Sequence, residues 1–120
     1  VHGGTLSVSG NSAQVPLSAT AAALNVTIVS PERAGFATVW PCSAARPVAS
    51  NLNFVSGQGV ANNAIAPIGD QGSVCFYTST PSDIIVDIAG YFSGEAGNQF
   101  VGSTPKRYID TRSSLGPAPE

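Results

Sequence analysis

Methionine is absent from this chain, histidine occurs once, at His2, and cysteine twice, at Cys42 and Cys75. A structural zinc site takes four thiolate or imidazole ligands, so two thiols and one terminal imidazole do not build one. Nucleophilic catalysis needs a base beside a serine or cysteine. His2 sits near an end and no Gly-x-Ser-x-Gly elbow is present, so the bland reading of an exposed terminal histidine prevails. Charge is also scarce: charged residues make up 10% of the chain, with five Lys+Arg and a net charge of −2. An ordinary domain carries roughly a quarter. Five cations are too few to neutralise a phosphate backbone, which argues against a nucleic-acid partner. No apolar run approaches the length that crosses a bilayer, so membrane insertion is not expected either.

What the chain has instead is Ser, Thr, Asn and Gln for polarity, with 13 Gly and nine Pro for punctuation. Its 120 residues suit one domain and allow a real core. Gly and Pro recur about every ten residues, the spacing of a sandwich or barrel. Between them lie short β-favouring runs: Thr5 to Val8, Ala22 to Val29, Phe36 to Trp40, Ala49 to Val55, Gly59 to Ala66, Ser73 to Thr78 and Asp83 to Phe92. Leu24, Val26 and Ile28 share one face of the second run. Ile84, Val86 and Ile88 do the same in the last, with Ile85, Asp87 and Ala89 opposite. Ser18 to Ala23 has helical propensity but no apolar periodicity, and it flows into a strand pattern. Ser30 to Gly35 and Ser79 to Ser82 read as turns, and Gly69 to Gly72 as a hairpin turn into Ser73. The sum is an all-β, antiparallel two-sheet β-sandwich, immunoglobulin-like or jelly-roll-like, of roughly seven to nine strands.

The reading divides the chain into a sandwich core over residues 1–93 and a C-terminal portion over 94–120. The latter is a linker plus a strand segment that docks on the core or on a neighbouring copy. Cys42 and Cys75 are read as a disulfide, against the alternative of two buried free thiols. Closing that loop is worth about 3–4 kcal/mol in the chain-entropy model and implies an oxidising compartment. A start at Val1 rather than Met reads as a processed or excised piece, which leaves the compartment open on that score.

Three groups of side chains invite chemistry. Asp83 and Asp87 lie four residues apart on one strand, roughly 13 Å. That exceeds the about 5–9.5 Å between the carboxylates of a glycosidase, and only Asp70 or Asp110, approaching from elsewhere in the chain, could supply a closer partner. Asp87 and Asp110, read with Arg107 and Arg112, are expected to form structural ion pairs, because a half-buried mid-strand aspartate needs a partner. Calcium on Asp83, Asp87 or Asp110 is the competitor, but no Asp-x-Asp-x-Asp-Gly loop supports it and no metal or other cofactor is assigned. Trp40, Tyr77, Tyr91 and Tyr108 offer rings for sugar stacking, with Asn51 among the asparagines (Asn25, Asn53, Asn62, Asn63) that could read hydroxyls. Trp40, Tyr77 and Asn51 are the candidate carbohydrate-binding residues. The competing reading has Phe36, Phe54, Phe76 and Phe92 filling the core, Trp40 packing on the disulfide, and the asparagines satisfying backbone groups.

Several of these stretches together resemble a known module. They are Leu24-Asn25-Val26-Thr27, Gly35-Phe36, Thr38-Val39-Trp40-Pro41-Cys42, Ala49 to Phe54, Val60-Ala61-Asn62, Pro67, Gly72, Val74-Cys75, Asp87 to Phe92, and Thr104-Pro105 with Arg107 and Asp110-Thr111-Arg112. The chain resembles a β-rich repeat module of secreted actinobacterial proteins, over nearly its whole length. Such modules occur in tandem or beside extracellular hydrolases, which implies an accessory, non-catalytic role at a surface or on a polysaccharide. In those modules the T-P-x-R-x-x-D-T-R segment usually precedes the Gly-Gly-Thr-Leu strand, whereas here it comes last. The array is either cut in a different phase or the final segment belongs to the next copy. A strand passed to a neighbour is β-augmentation, and repeated head to tail it makes a filament. The expected protein is therefore a non-catalytic extracellular surface, adhesion or structural module whose partners are other copies or neighbouring modules. A carbohydrate-binding accessory domain acting on cell-surface polysaccharide, and a self-assembling subunit of a surface filament or phage particle, are the alternatives.

Overall fold

The computed structural model describes residues 3–7, 15–69, 72–93 and 99–113. Among these residues are eight strands: β1 (Gly3–Ser7), β2 (Ala19–Val29), β3 (Gly35–Pro41), β4 (Leu52–Phe54), β5 (Val60–Pro67), β6 (Ser73–Thr78), β7 (Asp83–Ser93) and β8 (Gln99–Asp110). They form two antiparallel four-stranded sheets, a front sheet in the order β1-β6-β3-β4 and a back sheet in the order β5-β2-β7-β8. The β-sandwich and the Cys42–Cys75 bond read from the sequence are both present.

Alternation explains why the strands pack as they do. In β2 every second side chain from Ala22 to Ile28 is buried, so Leu24, Val26 and Ile28 face the front sheet. Ile84, Val86 and Ile88 of β7 stand beside them. Val74 and Phe76 of β6, Leu52 and Phe54 of β4, and Ala37 of β3 close the core from the other side. A buried isoleucine of this kind is worth about 1.5–3 kcal/mol of transfer free energy.

Local chemistry moves several elements from where sequence pattern puts them. The strand expected over Ala49 to Val55 shrinks to Leu52–Phe54. Its first half is lost because the Asn51 side chain, rather than a strand backbone, accepts the Val39 N–H (2.8 Å), while the Asn51 N–H donates to the Ala37 carbonyl (2.8 Å). The Gly69–Gly72 turn is real, with a 2.9 Å bond from the Gly72 N–H to the Gly69 carbonyl and a positive φ of 71° at Gly72. It is not a hairpin, because β5 and β6 lie in different sheets.

Phe92 does not reach the core. A bulge at Ala89 shifts the pairing, so that Leu24 faces Ile88 but Ala23 faces Gly90. One extra residue exchanges the two faces. Tyr91 turns inward against the core, and Phe92 turns outward to meet Phe100 edge to face at 5.4 Å.

The C-terminal segment begins its strand at Gln99 and pairs with β7 in the same chain. Tyr108 and Ile109 are buried in the same core as β2 and β7, so β8 completes the sandwich. Residues 94–98 of the linker lie outside the described residues. Proline inside a strand is tolerated at edges and bulges. Pro105 meets both conditions: β8 is an edge strand, and residues 103–105 form an irregularity opposite Ala89, between the Ile88–Lys106 and Gly90–Gly102 pairs.

Candidate functional site

On the outer face of the front sheet, Thr38, Trp40, Cys75 and Tyr77 are neighbours, because Thr38 pairs with Tyr77 and Trp40 with Cys75. The disulfide therefore lies on the outside of one sheet. An immunoglobulin-type bridge would join the two sheets through the core. Trp40 does sit opposite the disulfide, but toward solvent, and Thr5 Oγ1 lies 3.5 Å from the Cys75 sulfur.

The loop of residues 42–51 folds back over this face. Three hydrogen bonds pin it: Thr38 Oγ1 to the Ala49 carbonyl (2.6 Å), Trp40 Nε1 to the Ala44 carbonyl (3.1 Å), and the Val39 N–H to Asn51 Oδ1. Thr38 is consequently 1% exposed although it points away from the core. The loop also brings Arg46 over the Tyr77 ring, with the guanidinium carbon 3.8 Å from its centroid. Phe36 stands beside Tyr77 at 6.1 Å and remains 37% exposed. Between Phe36 and the loop opens a cleft of about 380 Å³ lined by Arg46, Pro47, Val48 and Asn53 among others.

The sugar-binding candidates fare unequally against this arrangement. Asn51 is engaged twice, its side-chain Oδ1 accepting from the Val39 N–H and its backbone carbonyl accepting from Asn62 Nδ2 at 2.6 Å. Trp40 has spent its N–H on Ala44, and Tyr77 is a pedestal for Arg46 rather than an open platform. Tyr91 and Tyr108 belong to the core. Phe54 and Phe76 are core residues as expected, but Phe36 is not. Phe36, expected in the core, is exposed, and Arg46 is an exposed group that the sequence pattern did not single out. Nothing local marked Arg46, because its partner ring lies thirty-one positions away and is reached only through the loop's fold.

The acidic candidates gather on the back sheet. Asp87 and Arg107 are cross-strand partners, joined by a 2.9 Å bond from Arg107 Nε to Asp87 Oδ1. Arg112 closes a two-pronged fork on Asp110, with Nε 2.9 Å from Oδ1 and Nη2 2.8 Å from Oδ2. Its own N–H also reaches Oδ1 at 3.1 Å. The fork is thus local to the C-terminal segment, and it is Arg107 that ties the segment across to β7. Between them Thr111 acts as a clasp: Oγ1 donates to Asp83 Oδ1 (2.8 Å) and accepts from the Ile84 N–H (3.0 Å). Thr111, flanked by the paired Asp110 and Arg112, therefore locks the end of β8 to the start of β7.

These bonds shift the groups in the expected directions. The hydrogen bond from Arg112 lowers the Asp110 carboxyl below its ordinary 3.8, against the opposing effect of desolvation. Arg107 is raised chiefly by its hydrogen bond to Asp87, and Arg112 by its bond to Asp110. Among the described residues, no group of three or more His, Cys, Asp or Glu is placed to hold a metal ion. Among the same residues, no helix is long and apolar enough to cross a membrane.

Compared with protein-family models, with curated proteins and with solved structures, the chain matches none of them.

Proposed function

We propose that this chain is a non-catalytic extracellular module, part of a secreted multi-module protein, that works through its surface and its strand edges. The observation that carries the reading is β5. It is an eight-residue edge strand, V-A-N-N-A-I-A-P, with no charge, paired to β2 in unbroken register from Ile28–Val60 to Ala21–Pro67. Among the described residues no strand pairs with its other edge. Natural edges are normally blunted by charge, bulge or proline, because their free N–H and C=O groups recruit other strands. β5 has proline only at its end, and Ile65 is 65% exposed. Such an edge suits a neighbouring module or a second copy.

The carboxylates support a non-catalytic role: Asp83, Asp87 and Asp110 are each engaged by a hydroxyl or a guanidinium. The disulfide and the resemblance to secreted repeat modules support an extracellular setting. Light scattering across a wide concentration range tests the edge. Concentration-dependent association is expected, and Ile65→Lys should suppress it while leaving the circular dichroism spectrum unchanged. A strict monomer at the highest concentration would overturn the reading.

Carbohydrate binding is the second reading, favoured by the cleft beside Phe36. It predicts that a glycan array will retain the intact chain and that Phe36→Ala will release it.

A further inference from the structure

The four strands of the front sheet contain no charged residue. The loop laid over their outer face contains one, Arg46. Among the described residues no carboxylate pairs with it, in contrast to Arg107 and Arg112. A guanidinium presents five N–H donors in a plane, and stacking on an aromatic ring uses only its face. The Arg46 guanidinium carbon lies 3.8 Å over the Tyr77 ring, which restrains the side chain beside the cleft, and a guanidinium stacked in this way leaves its donor edge available. The same cleft offers the half-exposed Phe36 ring and the exposed Asn53, which is the cross-strand partner of Phe36. Three hydrogen bonds hold the loop that forms the opposite wall.

A cation, an aromatic face and an amide side by side match a pyranose that bears a carboxylate. The C–H face of such a sugar stacks on the ring, the carboxylate meets the guanidinium in two parallel bonds, and a hydroxyl meets the amide. We propose that this cleft binds an acidic, uronate-bearing polysaccharide, with Arg46 taking the carboxylate and Phe36 the sugar ring. The proposal rests on the carbohydrate-binding reading and narrows it to one ligand class. The volume of about 380 Å³ lies at the lower end of ligand clefts, which suits a short stretch of chain rather than a large compound.

Titration of the full chain with oligogalacturonate, followed by calorimetry and by amide chemical shifts, tests the assignment. Binding is expected to weaken with salt, and to fall by at least about tenfold in Arg46→Gln, as for loss of a hydrogen bond to a charged group. Methyl-esterified oligogalacturonate should bind the unaltered chain about as weakly as the acid binds that variant. Arg46→Lys, which keeps the charge but not the fork, should fall between the two. Arg46 is exposed, so circular dichroism should match for all these proteins. Equal affinity of Arg46→Gln and the unaltered chain for the acid would overturn the proposal. Binding of neutral hexasaccharides alone, undiminished in Arg46→Gln, would overturn it while leaving the carbohydrate reading in place. No binding of acidic or neutral saccharides would overturn both.

Discussion

The outer faces of the two sheets are tied down by different chemistry. The front sheet is nearly free of charge and carries a covalent bond, Cys42–Cys75, between the end of β3 and the middle of β6. The back sheet has no disulfide among its described residues and secures its last strand with Asp87–Arg107, Asp110–Arg112 and the Thr111 clasp. One face should therefore respond to reductants and be indifferent to acid, and the other the reverse. The front sheet's tie joins its two inner strands, β3 and β6, whereas the back sheet's ties hold an edge strand, and its two edges contrast sharply. β8 carries proline, lysine, arginine and two irregularities in register, whereas β5 carries none of the charges and none of the irregularities. Guarded and unguarded edges in one sheet point to different uses.

The largest expected effect is on the front sheet. Replacing both Cys42 and Cys75 by alanine should lower unfolding stability by about 3–4 kcal/mol, read from urea midpoints with and without reductant. The bond encloses a sequence separation of 33 that contains β4, from one sheet, and β5, from the other. Equal stability of reduced and oxidised protein would break the comparison at its strongest point. Next comes the back sheet. A Cβ at Gly90 would sit 2.5 Å from Phe100 and 2.7 Å from the Val101 carbonyl. Gly90→Ala should cost about 1–3 kcal/mol by forcing β8 away from β7, with faster amide exchange in residues 99–102 than in β6.

The smallest effect separates the two faces by pH. Asp110 is lowered from 3.8 in the folded chain, so its stabilising contribution is complete above that value. It is lost as pH falls through the folded pKa, because the unfolded chain takes up the proton first. Melting temperatures should therefore drop on acidification below about pH 4 more steeply in the unaltered chain than in Asp110→Asn. The double cysteine variant should keep the unaltered chain's acid slope. An unchanged slope in Asp110→Asn would place the acid sensitivity elsewhere.

Much of the fold was legible because alternation is a local signal. Val26, Ile28, Ile84 and Ile88 are where the pattern puts them, and β6 has the bounds its composition suggests. What was not legible depends on irregularities that alternation cannot encode. The bulge at Ala89 sends Phe92 outward, and a side-chain carbonyl at Asn51 takes the place of a strand's backbone acceptor. The candidate site suffered most. Phe36 looks like core in a run of strand residues, and Arg46 looks like an isolated surface charge. Only the loop's return across Thr38 and Tyr77 makes them neighbours.

The chain's route between the sheets has a kinetic consequence. Except for β3 to β4 and β7 to β8, every link between successive strands passes from one sheet to the other. Neither sheet can then be assembled from a continuous stretch of chain, and each waits on partners that arrive from far along the sequence. Folding should be slow for the chain's size, on the order of milliseconds to seconds, as for other sandwiches dominated by distant pairings. The same weave means that no half of the molecule can come loose while the other stays whole, so unfolding should occur as a single event.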